Sequence, residues 1–176
     1  MKPNGVIALI GYRATGKTTL AKLLAERLCC AAVDSDVLVE HRAGKTIAEI
    51  FAENGENIFR DLESEVINSL TREKTERLVL ATGGGAVLRM ENRQRLRNNA
   101  FVVWLTASPE TILRRMSADS TTESRRPSLT GLPAFEEIVN LLQIREPLYR
   151  ETSHFQIDTE SQPLEDLVDV IMQKSF

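Results

Sequence analysis

The stretch GYRATGKTT, Gly11 to Thr19, lies between an apolar run and a helical pattern. The preceding run VIALI is short and rich in β-branched residues, which favours a buried strand, and the following LAKLLAERL repeats its leucines at helical spacing. A strand that ends in a loop with two glycines and continues directly into a helix points several backbone N–H groups at one spot. The stretch therefore predicts a loop that binds an anion.

The same alternation of apolar runs and helical patterns continues along the whole chain. Leucine, isoleucine and valine recur at helical spacing between the runs, and Thr46 with Glu49 fits a capping box at the start of one pattern. Alternation of this kind predicts an α/β fold with a five-stranded parallel sheet sandwiched by helices. The expected strands are Val6 to Ile10, Ala31 to Val33, Leu78 to Ala81, Phe101 to Leu105 and Phe155 to Ile157.

Composition limits the classes of partner. The chain has 176 residues, of which 42% are hydrophobic and 27% charged, and this is ordinary for one globular domain. Its net charge of −3 argues against broad attraction to nucleic acid or an anionic membrane, and no secretory signal or membrane-spanning run is visible. We expect a single cytoplasmic domain over residues 1–176. Adjacent Cys29 and Cys30 are expected to be reduced packing residues, and Trp104 is expected to pack in or beside the fourth strand.

The spacing Gly11-x-x-x-x-Gly16-Lys17-Thr18 matches the Walker A pattern in full. Glycines let the backbone approach a phosphate closely, a lysine at this position reaches the β- and γ-phosphates, and the hydroxyl after it ligates Mg²⁺. The pattern predicts ATP and Mg²⁺ as cofactors, although kinases, switches and motors all use it. The short chain favours a compact kinase. The expected nucleotide-binding loop residues are Ala14, Thr15, Gly16, Lys17, Thr18 and Thr19.

Two acids follow the second expected strand in the segment VDSDVLVE. Asp34 and Asp36 are two residues apart, and in an extended segment their side chains share one face, at the strand end where ligands of α/β sheets bind. One acid would then hold hydrated Mg²⁺ while the other orients a substrate hydroxyl. The alternative is that Asp-Ser-Asp caps the following helix.

Further motifs follow in a fixed order. Arg60 lies in ENIFRDLE, the triple glycine Gly83 to Gly85 ends a strand, Arg126 lies in a Ser/Thr/Gly/Pro-rich segment, and Arg145 opens REPLYRE. Together with the loop and the aspartates, this set resembles the shikimate kinases across nearly the whole chain. The resemblance implies a nucleoside-monophosphate-kinase-like P-loop fold with substrate-binding helices at about 36–70 and a lid at about 117–133. It also implies transfer of the γ-phosphate of ATP to the 3-hydroxyl of shikimate, in aromatic amino acid biosynthesis.

The resemblance implies roles on the acceptor side. Residues matching Arg60 and Arg145 bind the carboxylate of shikimate, and guanidinium groups suit a carboxylate because they bind it bidentately. The residue matching Asp36 binds ring hydroxyls and orients the attacking one, and the triple glycine Gly83, Gly84 and Gly85 supplies backbone donors. The alternatives from the residues alone are surface ion pairs, of Arg60 with Asp61 or Glu63 and of Arg145 with Glu146.

The resemblance also implies roles on the nucleotide side. Lys17 and the lid residue Arg126 neutralise charge on the transferring phosphoryl group, Thr18 and Asp34 hold Mg²⁺, and Arg115 stacks on the adenine.

Three residues depart from the family pattern. Ala14 replaces a common glycine in the loop, Ser128 replaces an apolar lid residue, and Gln162, in the loop along the other side of the base, replaces a common arginine. We expect no loss of activity from Ala14, and we assign no role to Tyr12 or Arg13, whose side chains would face solvent or the lid.

Other functions remain open at this level. One is a kinase for another hydroxylated acid, such as gluconate, or for a nucleoside monophosphate, and another is a nucleotide-dependent switch without catalysis. Paired carboxylate-binding arginines favour shikimate, and a full acceptor pocket with a lid is not needed by a switch. Small kinases with self-contained sites commonly act alone, so we expect a monomer.

Overall fold

A computed structural model describes residues 5–72, 77–118 and 132–175. Its sheet has five strands, all parallel, in the order β2-β3-β1-β4-β5. The strands are β1 (Val6–Ile10), β2 (Ala31–Asp34), β3 (Leu78–Ala81), β4 (Phe101–Thr106) and β5 (Phe155–Asp158). The α/β prediction is confirmed, and each expected strand agrees with the observed one to within one residue.

Seven helices lie within the described ranges and pack against the sheet. Side chains alternate between the two faces of each strand, so Ile7 and Leu9 pack against α1 and α7, whereas Val6, Ala8 and Ile10 pack against α3, α4 and α6. The helices are α1 (Lys17–Arg27), α2 (Ser35–Ala43), α3 (Ile47–Leu70), α4 (Met90–Asn99), α5 (Pro109–Ala118), α6 (Ala134–Thr152) and α7 (Leu164–Ser175). None of them combines the length and the apolar character that crossing a membrane requires.

Strand order brings the predicted motifs to one edge of the sheet. Central β1 leads into the loop Gly11 to Gly16, and its neighbour β3 leads into Gly83. Edge strand β2 ends at Asp34, beside β3. Because parallel strands end at the same edge, the loop, the aspartates and the triple glycine converge there.

Helices α2 and α3 form an arm beside this edge. Helix α3 bends at Gly55, where φ is 80°. The expected capping box of Thr46 and Glu49 is confirmed at its start. An apolar cluster joins the arm through Val39, Ile50 and Phe59, so the second half of α3 is held with Arg60 toward the sheet edge.

Three observations extend or correct the sequence analysis. Helix α4 was not predicted, because its sequence MENRQRLRNN is almost wholly polar and Leu96 is its one buried apolar residue. Trp104 is buried in β4, as predicted. Both cysteines are free, and Cys30 packs against the core as expected. The expectation that Cys29 packs is wrong: Cys29 is exposed, and with φ of 49° it forms the left-handed turn after α1.

Candidate active site

The loop after β1 has the backbone of a phosphate cradle. Gly11 has φ of 140°, and a Cβ there would collide with the carbonyl oxygen of Leu105. Gly16, with φ of 92°, is the N-cap of α1. Both positions therefore require glycine, and the loop N–H groups gather at a helix N-terminus, where the helix dipole favours an anion.

Ala14 adopts a glycine-like conformation within this loop. Its φ is 60°, a left-handed conformation that costs a residue with a Cβ about 1–2 kcal/mol. The Thr15 hydroxyl donates to the Tyr12 carbonyl at 2.8 Å and helps hold the turn. The glycine expected here from the family pattern thus has a conformational reason, and alanine pays a small energetic penalty in its place.

Lys17 lies folded into the loop that it follows. Its Nζ donates to the carbonyl oxygens of Gly11 at 2.9 Å and Tyr12 at 2.6 Å, and the residue is 8% exposed. The ammonium is therefore held beside the loop backbone, at the place predicted for the phosphates.

Asp34 has two structural partners. Its Oδ2 accepts from the Thr18 hydroxyl at 2.8 Å, and its Oδ1 accepts from the backbone N–H of Asp36 at 3.0 Å. Asp34 therefore caps α2, the alternative considered from sequence, while also meeting Thr18. A hydroxyl and a carboxylate held this close are the hard oxygen ligands that Mg²⁺ prefers, so the pair fits this metal.

Asp36 does not lie on an extended segment. It occupies the first turn of α2, so the prediction that Asp34 and Asp36 share one face of a strand is wrong. Helix α2 begins immediately after β2, and this turns Asp36 away from Asp34 and into a neighbouring cavity.

That cavity lies beside the phosphate loop and has a volume of about 600 Å³, including its open mouth. Asp36, Arg60, the triple glycine Gly83 to Gly85 and Arg145 all line it. The structure thus brings together every acceptor-side residue named from the sequence. It adds Glu63, which sequence reasoning named only as an alternative ion-pair partner of Arg60.

Arg60 is held firmly by carboxylates of its own helix. Its Nη1 donates to Glu63 at 2.8 Å, and its Nε and Nη2 donate to Glu56 at 3.1 and 3.0 Å. Arg60 is 8% exposed, so the solvated surface pair considered from sequence is excluded. Burial raises the pKa of the Glu63 carboxyl, and the nearby Arg60 charge opposes this shift. The i,i+3 spacing of Arg60 and Glu63 was the available signal for this pair.

Arg145 reaches the cavity from α6 and is 6% exposed. Its Nη1 donates to the Gly84 carbonyl at 3.4 Å, and its guanidinium lies 5.9 Å from the centre of the Tyr12 ring. The surface pair with Glu146 is therefore excluded. Tyr149 donates to the same carbonyl at 2.5 Å, and burial raises the pKa of its hydroxyl, which stays a donor.

The triple glycine provides room as well as backbone. A Cβ on Gly83 would lie 2.5 Å from Asp36 Oδ1 and 2.8 Å from Glu63 Oε1, and one on Gly85 would lie 2.5 Å from the Arg60 guanidinium. The Gly83 N–H already donates to the Ser35 hydroxyl at 2.9 Å. Gly83 and Gly85 are thus needed because the charged side chains pass where a methyl group would stand.

The expected base-binding residues lie on the far side of the phosphate loop. Arg115 donates to the Thr159 hydroxyl and carbonyl at 3.0 and 2.9 Å and approaches the Ala14 carbonyl at 3.4 Å. Gln162 is exposed in the loop after β5. Arg126 and Ser128 lie outside the described residues, as does most of the expected lid.

Tyr12 and Arg13 belong to the site, although sequence reasoning assigned them no role. Both line the cavity. Tyr12 is buried, so it does not face solvent, which was one of the two expected orientations. Arg13 pairs with the buried carboxylate of Glu137 at 2.6 Å. They occupy variable positions of the Walker A pattern, so no motif marks them.

Comparisons with known proteins agree with this geometry. The family model described as shikimate kinase matches residues 13–175. A shikimate kinase of Rhodopirellula baltica is 42% identical over 94% of this chain and 87% of its own length. A shikimate kinase of Symbiobacterium thermophilum is 44% identical over 96% of this chain and 94% of its own length. The solved structure of shikimate kinase from Acinetobacter baumannii in complex with shikimate superposes with a TM-score of 0.87, at 39% identity over 96% of this chain and 91% of that one. The chain therefore belongs to the shikimate kinase family, a family of ATP-dependent phosphotransferases.

Proposed function

We propose that this chain transfers the γ-phosphate of ATP to the 3-hydroxyl of shikimate, giving shikimate 3-phosphate and ADP for aromatic amino acid biosynthesis. It acts as one kinase domain, a monomer in the cytoplasm. The observation that carries the proposal is that Arg60, Arg145 and Asp36 line a single cavity beside the phosphate loop. These groups complement a small acid with hydroxyl groups.

The charge of the cavity supports a carboxylated acceptor. Arg60 already has carboxylate partners on its own helix, whereas no carboxylate of the described residues lies within ion-pair distance of Arg145. A buried guanidinium without a counter-ion is costly, and the carboxylate of shikimate would supply one. Arg60, held alongside, offers the second guanidinium.

The apolar wall supports a ring-shaped acceptor. Ile47, Phe51 and Phe59 line the cavity together with the charged groups. Such a wall would cover the carbon skeleton of the shikimate ring while Asp36 accepts hydrogen bonds from its hydroxyls. An open-chain acid such as gluconate has no comparable apolar face.

On the nucleotide side, the proposal assigns the phosphates to the loop residues Ala14 to Thr19 and Mg²⁺ to Thr18 and Asp34. Held by these two residues, the metal would supply positive charge that neutralises the phosphates. Lys17 lies beside the loop carbonyls, within reach of the same phosphates. Arg115 and Gln162 are assigned to the adenine, and Arg126 to the transferring phosphoryl group.

The transfer itself needs positioning more than a strong base. Phosphoryl transfer passes through a loose transition state, so alignment and charge neutralisation supply most of the catalysis. Asp36 would align the attacking hydroxyl by accepting its proton in a hydrogen bond, and Lys17 with Arg126 would stabilise the charge on the phosphoryl oxygens.

A substrate panel tests the proposal against its rivals. ADP release is measured with shikimate, gluconate and a nucleoside monophosphate as acceptors. We expect turnover with shikimate alone. Turnover with a nucleoside monophosphate but not with shikimate would refute the assignment, and slow ADP release that no acceptor stimulates would favour a switch.

Substitution of Arg60 tests the carboxylate contact. Arg60→Lys keeps a positive charge for Glu63 but loses the planar fork, so the KM for shikimate should rise roughly 10-fold or more with little change in the KM for ATP. Arg60→Ala should raise the KM for shikimate further. Arg89→Lys is the matched control, because Arg89 pairs with Asp61 on the same arm outside the cavity. Equal weakening of both substrates would contradict the role.

A further inference from the structure

We infer that Glu137 is a positioning residue that sets the place of Arg145 through Tyr12 and Arg13. This inference rests on the proposed function, because it concerns the residue assigned to the acceptor carboxylate. Its basis is that the second and third residues of the phosphate loop dock the helix carrying Arg145.

The docking surface is one stripe of α6. Glu137, Leu141 and Arg145 follow one another at intervals of four residues, and such residues lie on one face of a helix. Arg13 pairs with Glu137 at 2.6 Å. Leu141 packs in an apolar cluster with Tyr12, and the Arg145 guanidinium lies 5.9 Å from the Tyr12 ring centre. Each member of the stripe therefore meets one of two adjacent loop residues, Glu137 meeting Arg13 and the other two meeting Tyr12.

Arg145 has few polar contacts of its own. Its recorded hydrogen bond is the long one to Gly84, at 3.4 Å, and its buried Nε has no hydrogen-bond partner among the described residues. Arg60, by contrast, is fixed directly by Glu56 and Glu63. The position of Arg145 is thus set by where α6 lies, and α6 is fixed to the loop at Glu137.

The Arg13–Glu137 pair is buried enough that the loss of either charge should matter. The two side chains are 12% and 2% exposed. A pair shielded from water is sensitive to the loss of either charge, unlike an exposed pair. Loss of the Glu137 charge should therefore let α6 shift at the end nearest the loop, and a small shift is enough to misplace a binding group.

The test is a double-mutant cycle on acceptor kinetics. Glu137→Gln should raise the KM for shikimate roughly 10-fold, clearly more than the KM for ATP. Glu137→Asp, which keeps the charge, should recover part of this loss. In an Arg145→Lys background, Glu137→Gln should raise the KM for shikimate by less than about 2-fold further, because Glu137 acts through Arg145. Asp169→Asn, in the exposed Arg27–Asp169 pair, is the matched control and should change neither KM.

Two results would overturn the inference. One is an equal rise of both KM values in Glu137→Gln, which indicates a general loss of structure. The other is an effect of Glu137→Gln that adds in full to that of Arg145→Lys. Thermal unfolding is measured in parallel, and if Glu137→Gln does not fold, Glu137→Asp carries the same cycle. If the wild-type chain phosphorylates a different carboxylated acceptor, the proposed function fails but the cycle is decided on that acceptor.

Discussion

The phosphate loop and the acceptor cavity lie side by side but are built in different ways. The loop is one continuous segment, and its defining contacts run to nearby backbone, from Lys17 to Gly11 and from Thr15 to Tyr12. The cavity is formed by side chains from α2, α3 and α6, by Tyr12 and Arg13 of the loop, and by the glycine backbone after β3. The comparison indicates that the loop depends on backbone conformation, whereas the cavity depends on charged side chains and on the space that glycines leave for them.

The largest effect is expected from removing the ammonium group of Lys17, which the proposed function assigns to the phosphates. Lys17→Met should lower kcat about 1000-fold or more, because the transferring phosphoryl group loses a preorganised positive charge. Circular dichroism should still report a folded chain. Substantial turnover in this variant would contradict the comparison, since it would mean that the loop acts on the phosphates without the Lys17 charge.

A smaller loss is expected from filling the space in the cavity. Gly83→Ala places a methyl group 2.5 Å from Asp36 Oδ1 and 2.8 Å from Glu63 Oε1. Both atoms end flexible side chains, so these should move and the chain should still fold. We expect kcat/KM for shikimate to fall roughly 100-fold because two polar groups are displaced. Wild-type kinetics would show that the cavity does not depend on this glycine.

A pH effect is expected from the buried carboxyl. The pKa of Glu63 is raised above its ordinary value of 4.5. At pH values between the ordinary pKa, which applies to the unfolded chain, and the raised pKa of the folded chain, the folded chain binds a proton that the unfolded chain releases. The free energy of unfolding should therefore fall as pH rises, by up to about 1.4 kcal/mol per pH unit. This contribution is complete below pH 4.5 and is lost as pH rises through the shifted value.

Urea unfolding across this pH range checks the effect. Glu63→Gln should remove that part of the slope. Glu56→Gln is the matched control and should retain it, because Glu56 pairs with the same Arg60 but its side chain is 53% exposed. Identical slopes for the wild type and both variants would rule out Glu63 as the source.

The smallest effect is expected from the backbone of the loop. Ala14→Gly relieves a left-handed conformation but adds freedom to the unfolded chain, so the free energy of unfolding should rise by less than about 1 kcal/mol. Cys29→Gly, at the left-handed turn after α1, should likewise raise the free energy of unfolding slightly. Neither change should alter the KM for shikimate. A large change with Ala14→Gly would mean that the strain itself serves the reaction.

Local patterns predicted most of the fold, and the misses have physical causes. Apolar periodicity located all five strands: β1, β3 and β4 are buried, and the edge strands β2 and β5 still carry short apolar runs although most of their residues are not buried. The same periodicity missed α4, whose one buried apolar residue is Leu96, because a polar helix has no apolar residues repeating at helical spacing. It also treated Asp34 and Asp36 as one strand face, because the point where β2 gives way to α2 depends on the cap that Asp34 forms.

The sequence by itself determined the phosphate loop, because its spacing encodes a backbone shape over a few adjacent residues. The order of motifs also indicated which charged residues line the cavity. Only the tertiary structure decided what holds those residues. It revealed Glu63 buried against Arg60, space at Gly83 and Gly85, and Arg13 paired with Glu137. The contacts at Gly83, Gly85 and Arg13 join residues far apart in the chain, whereas Arg60 and Glu63 are three residues apart on one helix and are buried only through tertiary packing. Such contacts matter when packing excludes water and leaves a buried charge to be matched.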